Sequence, residues 1–367
     1  MSFAIEVPAE ANPLTTETLY HVLRSASSND RQQVKTGTQQ LQNWERSPGY
    51  YSSLQSLYVD YSLPVELRYL AIIQLKNGIE KYWRKTASNA IKAKEKDIIR
   101  SRCLQSGIFE PDNRLALQIS VLMAKIVRYE FPQDWPDAID SVTESLQTSS
   151  QPSSNPMYLS RTLLILLYII KELSTAKMQR SRTKLQSVTP GIVQMLSTVY
   201  VEKLNKWLSF LKSGGSDEGG ALESMEQSLV ALRILRRLII AGYDSPNREQ
   251  EVRDIWSSFN SQFAEMLALA QRAGATLASQ PKYLLDKHLI QISKLHLEMA
   301  KNHAAGFALL PDSTALARAY WGLIQQCGET YGSYASNSSA AKVMVYYRST
   351  TLFWTLICHP HKDRDRW

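Results

Sequence analysis

Three cysteines, fifteen glycines and fourteen prolines are all that 367 residues hold of the types that most constrain a backbone. Cys103, Cys327 and Cys358 stand far apart and form no CxxC pair. That excludes a disulfide framework or a zinc site of that spacing and favours a reducing compartment. Scarce glycine and proline leave few tight turns and room for long helices. Long apolar runs are missing too. The most apolar stretch, residues 163–170, closes on Lys171 and Glu172, far short of the ~20 residues that span a bilayer. It reads as a buried core helix, and no membrane insertion is expected. The opening MSFAIEVPAEANPL has no charged segment ahead of an apolar core, so it does not read as a secretory signal.

Catalytic signatures are equally scarce. HExxH, GxSxG, GxxxxGK[ST] and GxGxxG do not occur, so no P-loop or Rossmann nucleotide pocket is expected. His288 and His296 lie two helical turns apart, and His359 and His361 are separated by one residue. Neither pair has cysteine or carboxylate company at ligand spacing, and His21 and His303 stand alone. The reading is no enzyme, no cofactor, no metal site and no catalytic residue.

The net charge is +8, which raises the question of nucleic acid, since Lys and Arg release counterions from phosphate. The densest basic stretches run from Arg84 to Arg102, with Glu95 and Asp97 interspersed, and from Lys177 to Lys184. Neither is interleaved with aromatics. Solvated helix and loop charge is the simpler account, and nucleic acid is not expected as a partner.

What the sequence has in quantity is helical periodicity. Val65, Tyr69, Ile72, Leu75, Ile79 and Trp83 recur at steps of three and four, as do Leu115, Ile119, Leu122, Ile126 and Tyr129, and Leu229, Leu232, Leu235, Leu238 and Ile239. Gln74, Asn77, Lys81 and Arg84 fall on another side of the first of these helices and should face water or a partner. Met195, Leu196 and Leu204 read as core, as do Trp44 and Trp135, in preference to stacking platforms. Punctuation divides the helices at Ser47-Pro48-Gly49, Leu63-Pro64, Glu110-Pro111-Asp112-Asn113 and residues 131–136, where Asp134 is placed to cap the next helix. Polar loops follow at 151–156 and 214–220.

The resulting helices are 15–26, 29–45, 48–61, 64–84, 89–106, 112–129, 135–148, 156–177, 181–212, 221–241, 246–273, 281–304, 312–330 and 338–358. They form about seven pairs with short connections, a period that points to an all-α solenoid of HEAT-type antiparallel helix pairs over 1–367. A single pair cannot cover its own apolar stripe, whereas stacked pairs bury a continuous core. A large irregular helical domain is the alternative. Gly37 falls inside the second helix, where it costs ~1 kcal/mol relative to alanine. Close approach of a neighbouring backbone would account for it, and so would a tolerated accident.

Residues 31–84 carry a more specific signal. Leu41 and Trp44 form an L-x-x-W step. Arg68, Leu70, Ala71, Leu75, Lys76, Asn77 and Ile79 form R-x-L-A-x-x-x-L-K-N-x-I, and Tyr82 and Trp83 form an aromatic cluster. This stretch resembles the importin-β N-terminal domain, here placed at 31–103. RYLAIIQLKNGIEKYWRK resembles in particular the importin-eleven type of receptor, and FPQDWPDAID is similar to a turn usual in the family.

The resemblance implies a nuclear transport receptor that binds a Ran-type small GTPase in its GTP form through the first repeats. It also implies protein cargo, nucleoporin Phe-Gly repeats as partners, and shuttling between nucleus and cytoplasm with association at the nuclear envelope. Helix 64–84 would be part of the GTPase surface, with Lys76 and Asn77 as candidates and Gln74, Lys81 and Arg84 beside them. The bland reading of the same residues is that Asn77 satisfies a backbone group between repeats and Lys76 is merely solvated. The alternative function is a helical-repeat scaffold without Ran. Family members are usually far longer, and the charged, pattern-free HPHKDRDRW suggests truncation. The net positive charge departs from the acidic character common among these receptors.

Overall fold

The computed structural model describes residues 13–331, apart from 176–178, 214–216 and 274–276. Every regular element among them is a helix. Contacts divide the chain into two units, Met1–Glu172 and Leu173–Trp367.

The first unit is built from antiparallel pairs: α1 (Thr16–Ala26) with α2 (Arg31–Trp44), α3 (Tyr50–Val59) with α4 (Val65–Tyr82), and α5 (Ala93–Ile108) with α6 (Asn113–Glu130). α7 (Ala138–Ser149) and α8 (Pro156–Ser174) follow. α3 lies between α1 and α5 in one layer, and α4 packs on α6 in the other. Helix starts follow side chains that accept the otherwise orphaned N–H groups. Thr15 and Thr18 form a reciprocal box on α1. Asp30 accepts from the Gln32 and Gln33 N–H groups at 2.7 and 2.9 Å, and Asp112 caps α6 in the same way.

α3 is different. Gly49 occupies its N-cap at φ 84° and has no side chain to offer. The Glu95 carboxylate of α5 accepts from the N–H groups of Gly49, Tyr51 and Ser52 at 3.0, 2.9 and 3.0 Å instead. One pair thus supplies the cap of another, placing a negative charge at the positive end of the α3 dipole.

The buried stripe of α4 is Leu67, Arg68, Ala71, Ile72, Leu75, Gly78 and Ile79, with Trp83 just beyond. Tyr69, expected within it, is 37% exposed. Steps of three and four let a pattern drift around the helix, and Leu67, Arg68 and Ala71 hold the inward positions instead. Arg68 reaches across to the buried Glu110, donates from Nε to the Tyr58 carbonyl at 2.8 Å, and lies 4.6 Å from the Tyr61 ring centre. Arg161 of α8 approaches the same turn, donating to the carbonyls of Glu110 and Pro111 at 2.7 and 2.9 Å.

Gly37 does admit a neighbouring backbone. A Cβ there would lie 2.6 Å from the Ala26 nitrogen and 3.0 Å from the Val22 carbonyl oxygen of α1. Backbone cannot rotate aside as a side chain does. Gly37→Ala is therefore expected to lower stability by about 1–3 kcal/mol despite its helix-propensity gain of ~1 kcal/mol. A urea titration of the variant against the parent protein checks this, and a net gain in stability would contradict the packing.

In the second unit, α10 (Glu218–Ala241) packs between α9 (Gln179–Ser213) and α12 (Ser279–Asn302), and α11 (Gln250–Ala273) packs on α12. A single 3₁₀ turn, Pro246–Arg248, precedes α11, and the short α13 (Ala304–Leu309) leads to α14 (Ser313–Tyr331). Trp207, Trp256, Phe259, Phe263 and Tyr320 fill its interior. His288 and His296 are there too, fully buried. His288 Nδ1 donates to the Leu284 carbonyl at 2.8 Å, its Nε2 lies 2.9 Å from Ser228 Oγ, and His296 Nδ1 lies 2.8 Å from the Tyr320 hydroxyl.

Several boundaries differ from the sequence expectation for identifiable reasons. The helix expected from 89 begins at Ala93, because Asn89 takes a left-handed φ of 59°. Asp134 does not cap the next helix; it accepts from Lys85 Nζ at 2.8 Å, and the helix starts at Ala138 with Asp137 in the N-cap position. Residues 246–273 split into the 3₁₀ turn and α11. α13 was not foreseen. Trp44 is buried as expected, but Trp135 and Met195 are only half-buried. The helix expected at 338–358 lies outside the described residues.

Candidate protein-interaction site

With one side of α4 in the core, its other faces carry Gln74, Lys76, Asn77 and Lys81, and Arg84 lies two residues past its end. Asn77, Lys81 and Arg84 are exposed, and Gln74 and Lys76 half-buried. They do not act as one cluster. Lys76 donates to Gln118 Oε1 of α6 at 2.8 Å, and the Arg84 guanidinium lies 5.0 Å from the ring centre of Tyr129, also on α6. Gln74 and Lys81 turn the other way, into a cleft of about 580 Å³ against the C-terminal half of α2. Asn77 sits between the two groups.

The cleft wall holds two cations, Arg46 and Lys81, and one carboxylate, Glu45; Gln42, Asn43 and Gln74 supply amides. Glu45 Oε1 accepts from Lys81 Nζ at 2.7 Å. That bond raises the Lys81 pKa above its ordinary value. Glu45 itself is held from behind, because its carbonyl accepts the Tyr51 hydroxyl at 2.9 Å. The Tyr51 ring lies over Gly78 and fills the space a Cβ would need there. A glycine one position after Asn77 thus lets a tyrosine from α3 fix the end of α2.

Charge pairs continue along the same layer. Glu80 of α4 pairs with Lys125 of α6, and Arg128 of α6 with Glu172 of α8. The periodicity of α4 could identify which of its own residues face outward. It could not identify Glu45, Gln118 or Tyr129, which belong to other helix pairs and meet α4 only when the pairs stack.

Chemically this is a surface of amides and cations, with Glu45 and Glu80 each paired to a lysine, suited to another protein's acidic and polar groups. Among the described residues no group of three or more His, Cys, Asp or Glu side chains is gathered to hold a metal, and no helix is long and apolar enough to cross a membrane. The buried histidines are engaged in the core of the second unit.

Residues 37–108, from within α2 to the end of α5, match the family model described as the importin-beta N-terminal domain. The chain is 32% identical over 318 residues to importin beta-like protein KAP120 of Saccharomyces cerevisiae, a match covering 86% of this chain and 30% of that protein. It is 28% identical over 289 residues to importin-11 of Homo sapiens, covering 79% of this chain and 29% of the relative. Among solved structures, Lph2, described as a bidirectional nuclear transport receptor of S. cerevisiae, aligns with a TM-score of 0.78 at 28% identity, over 94% of this chain and 32% of that one. The exportin Cse1 in its cargo-free, cytoplasmic state aligns at 0.68 and 15% identity over 93% of this chain and 34% of that one, a likeness of fold alone. The chain spans about a third of the length of these relatives. By its N-terminal domain, its relatives and its stacked helix pairs, the chain belongs to the importin-β family and matches the N-terminal portion of its receptors.

Proposed function

We propose that this chain is the GTPase-responsive end of a nuclear transport receptor, binding a Ran-type GTPase in its GTP form through the outward face of α4 and its neighbours. The supporting observation is that the importin N-terminal domain match spans residues 37–108 and so includes the whole of α4, whose outward face offers amides and cations. Lys76, Asn77, Gln74, Lys81 and Arg84 are the proposed contacts. GTPase binding and cargo affinity would be coupled reciprocally, since both ligands act on one chain of stacked repeats. Protein cargo, nucleoporin Phe-Gly repeats, import as the direction, and shuttling with association at the nuclear envelope belong to the same proposal. Catalysis does not.

The test is a pull-down of the whole chain with a Ran-type GTPase locked in its GTP or GDP form. Binding to the GTP form alone is expected. Equal or absent capture of both forms would favour a helical-repeat scaffold that works without Ran. Lys76→Glu with Asn77→Asp is expected to weaken capture at least tenfold by reversing the charge complementarity. Stability should change by no more than about 1 kcal/mol, because neither side chain is in the core. Loss of capture together with a large fall in thermal stability would mean that the pair acts through folding and not through contact.

A further inference from the structure

Of the five candidate contacts, Lys81 alone faces a carboxylate. Lys76 is held by a neutral amide and Arg84 lies over a ring, so neither contact places a carboxylate on the cation. Lys81 has 56% of its side chain exposed, yet its Nζ is 2.7 Å from Glu45 Oε1. Among the described residues, Glu45 is the one acid in the wall of the α2–α4 cleft. Its backbone is braced by the Tyr51 hydroxyl and the Tyr51–Gly78 packing behind it. The carboxylate therefore does not drift away with a loose chain end, and only side-chain rotation can move it off Lys81. Any partner that offers an aspartate or glutamate to this cleft presents the chemical group that Glu45 already provides.

We infer that Glu45 is a built-in competitor: its carboxylate occupies Lys81 until an acidic segment of a protein partner displaces it from the α2–α4 cleft. With the charge of Glu45 removed, Lys81 and Arg46 would face the partner unopposed. An exposed ion pair is weak, so the competition is easily reversed. It biases the cleft by a small factor toward partners with a well-placed carboxylate. The inference rests on the proposed GTPase reading only for the identity of the partner, not for its acidic chemistry.

The experiment titrates two probes at fixed ionic strength, the GTP-locked Ran-type GTPase and poly-L-glutamate. The proteins are the parent chain, Glu45→Gln, Lys81→Gln and Glu66→Gln. Glu66 is an exposed acid in the first turn of α4, so Glu66→Gln removes the same charge outside the cleft. Glu45→Gln is expected to tighten binding roughly two- to fivefold, the range an exposed ion pair allows. Lys81→Gln should weaken it by a similar factor, and Glu66→Gln should change it by less than Glu45→Gln does.

Unchanged or weaker binding by Glu45→Gln, an equal gain from Glu66→Gln, or indifference to Lys81→Gln would each overturn the inference, as would failure of the parent chain to bind either probe. If poly-L-glutamate behaves as expected but the GTPase does not bind, the acidic-segment inference stands and the GTPase reading falls.

Discussion

Replacing Glu110 by alanine is expected to destabilise the first unit by about 3–5 kcal/mol, the usual consequence of stranding one member of a buried ion pair. Arg68 and Glu110 have side chains 3% and 0% exposed. A guanidinium stays charged in a protein interior, so without its partner Arg68 would have to draw water in or unpack. The carboxylate also accepts the Asp112 N–H at 3.0 Å, one residue before α6 begins. The same turn supplies the carbonyls that receive Arg161 from α8. One carboxylate therefore helps hold α4, the start of α6 and α8 in register.

Urea unfolding followed by a probe in the first unit measures the loss. Two contrasts make the result interpretable. Lys85→Ala, which breaks the exposed pair with Asp134, should cost no more than about 1 kcal/mol. The double replacement Arg68→Met with Glu110→Leu should recover much of the loss, because no buried charge remains. A loss for Glu110→Ala as small as that for Lys85→Ala would show that water reaches the pair and would remove its structural role.

Acidification between about pH 7 and pH 4 should weaken the second unit by several kcal/mol, through His288 and His296. Burial strips water from both imidazoles and lowers their pKa values from 6.5 to about 4 for His288 and about 3 for His296. The bond to the Leu284 carbonyl partly opposes the shift in His288, and the charge of Arg233 adds to it.

Because the folded values are depressed, the unfolded chain binds more protons throughout the interval between them and the ordinary value. Stability from keeping the rings neutral is complete above about pH 6.5 and drains away as pH falls toward the folded values. At ~1.4 kcal/mol per pKa unit, each histidine accounts for about 3 kcal/mol by pH 4. Urea midpoints of the second unit across this range measure the slope. His296→Phe, which removes one of the two titrating rings and keeps an aromatic side chain in its place, should flatten it. A midpoint that does not move between about pH 7 and pH 4.5 would refute burial of the neutral rings.

The sequence by itself determined the fold class and where most helices lie. Apolar residues at steps of three and four must share a face, and proline and glycine must interrupt that face, whatever packs against it. It also identified the outward residues of α4 and the N-terminal motif, since both are properties of one continuous segment. It placed Gly37 in a helix and left open whether backbone approached it; the 2.6 Å approach of Ala26 decided that.

Tertiary structure alone decided which residues from separate helices meet. Glu95 capping α3, Glu110 holding Arg68, Tyr51 filling the space over Gly78, and Glu45 holding Lys81 join residues 36 to 46 positions apart or, for Tyr51 and Gly78, 27 positions apart. No local period encodes such partners. They follow from the stagger of one helix on another, within a pair for Tyr51 and Gly78 and between pairs for the rest, which the fit of apolar side chains sets over the whole interface. That stagger also turned Tyr69 to solvent and gave Asp134 to Lys85 instead of to the helix it precedes. The outward face of α4 was legible as a surface; its division into a side of amides, cations and the Glu80–Lys125 pair toward α6 and a self-competing cleft toward α2 existed only once the pairs had stacked.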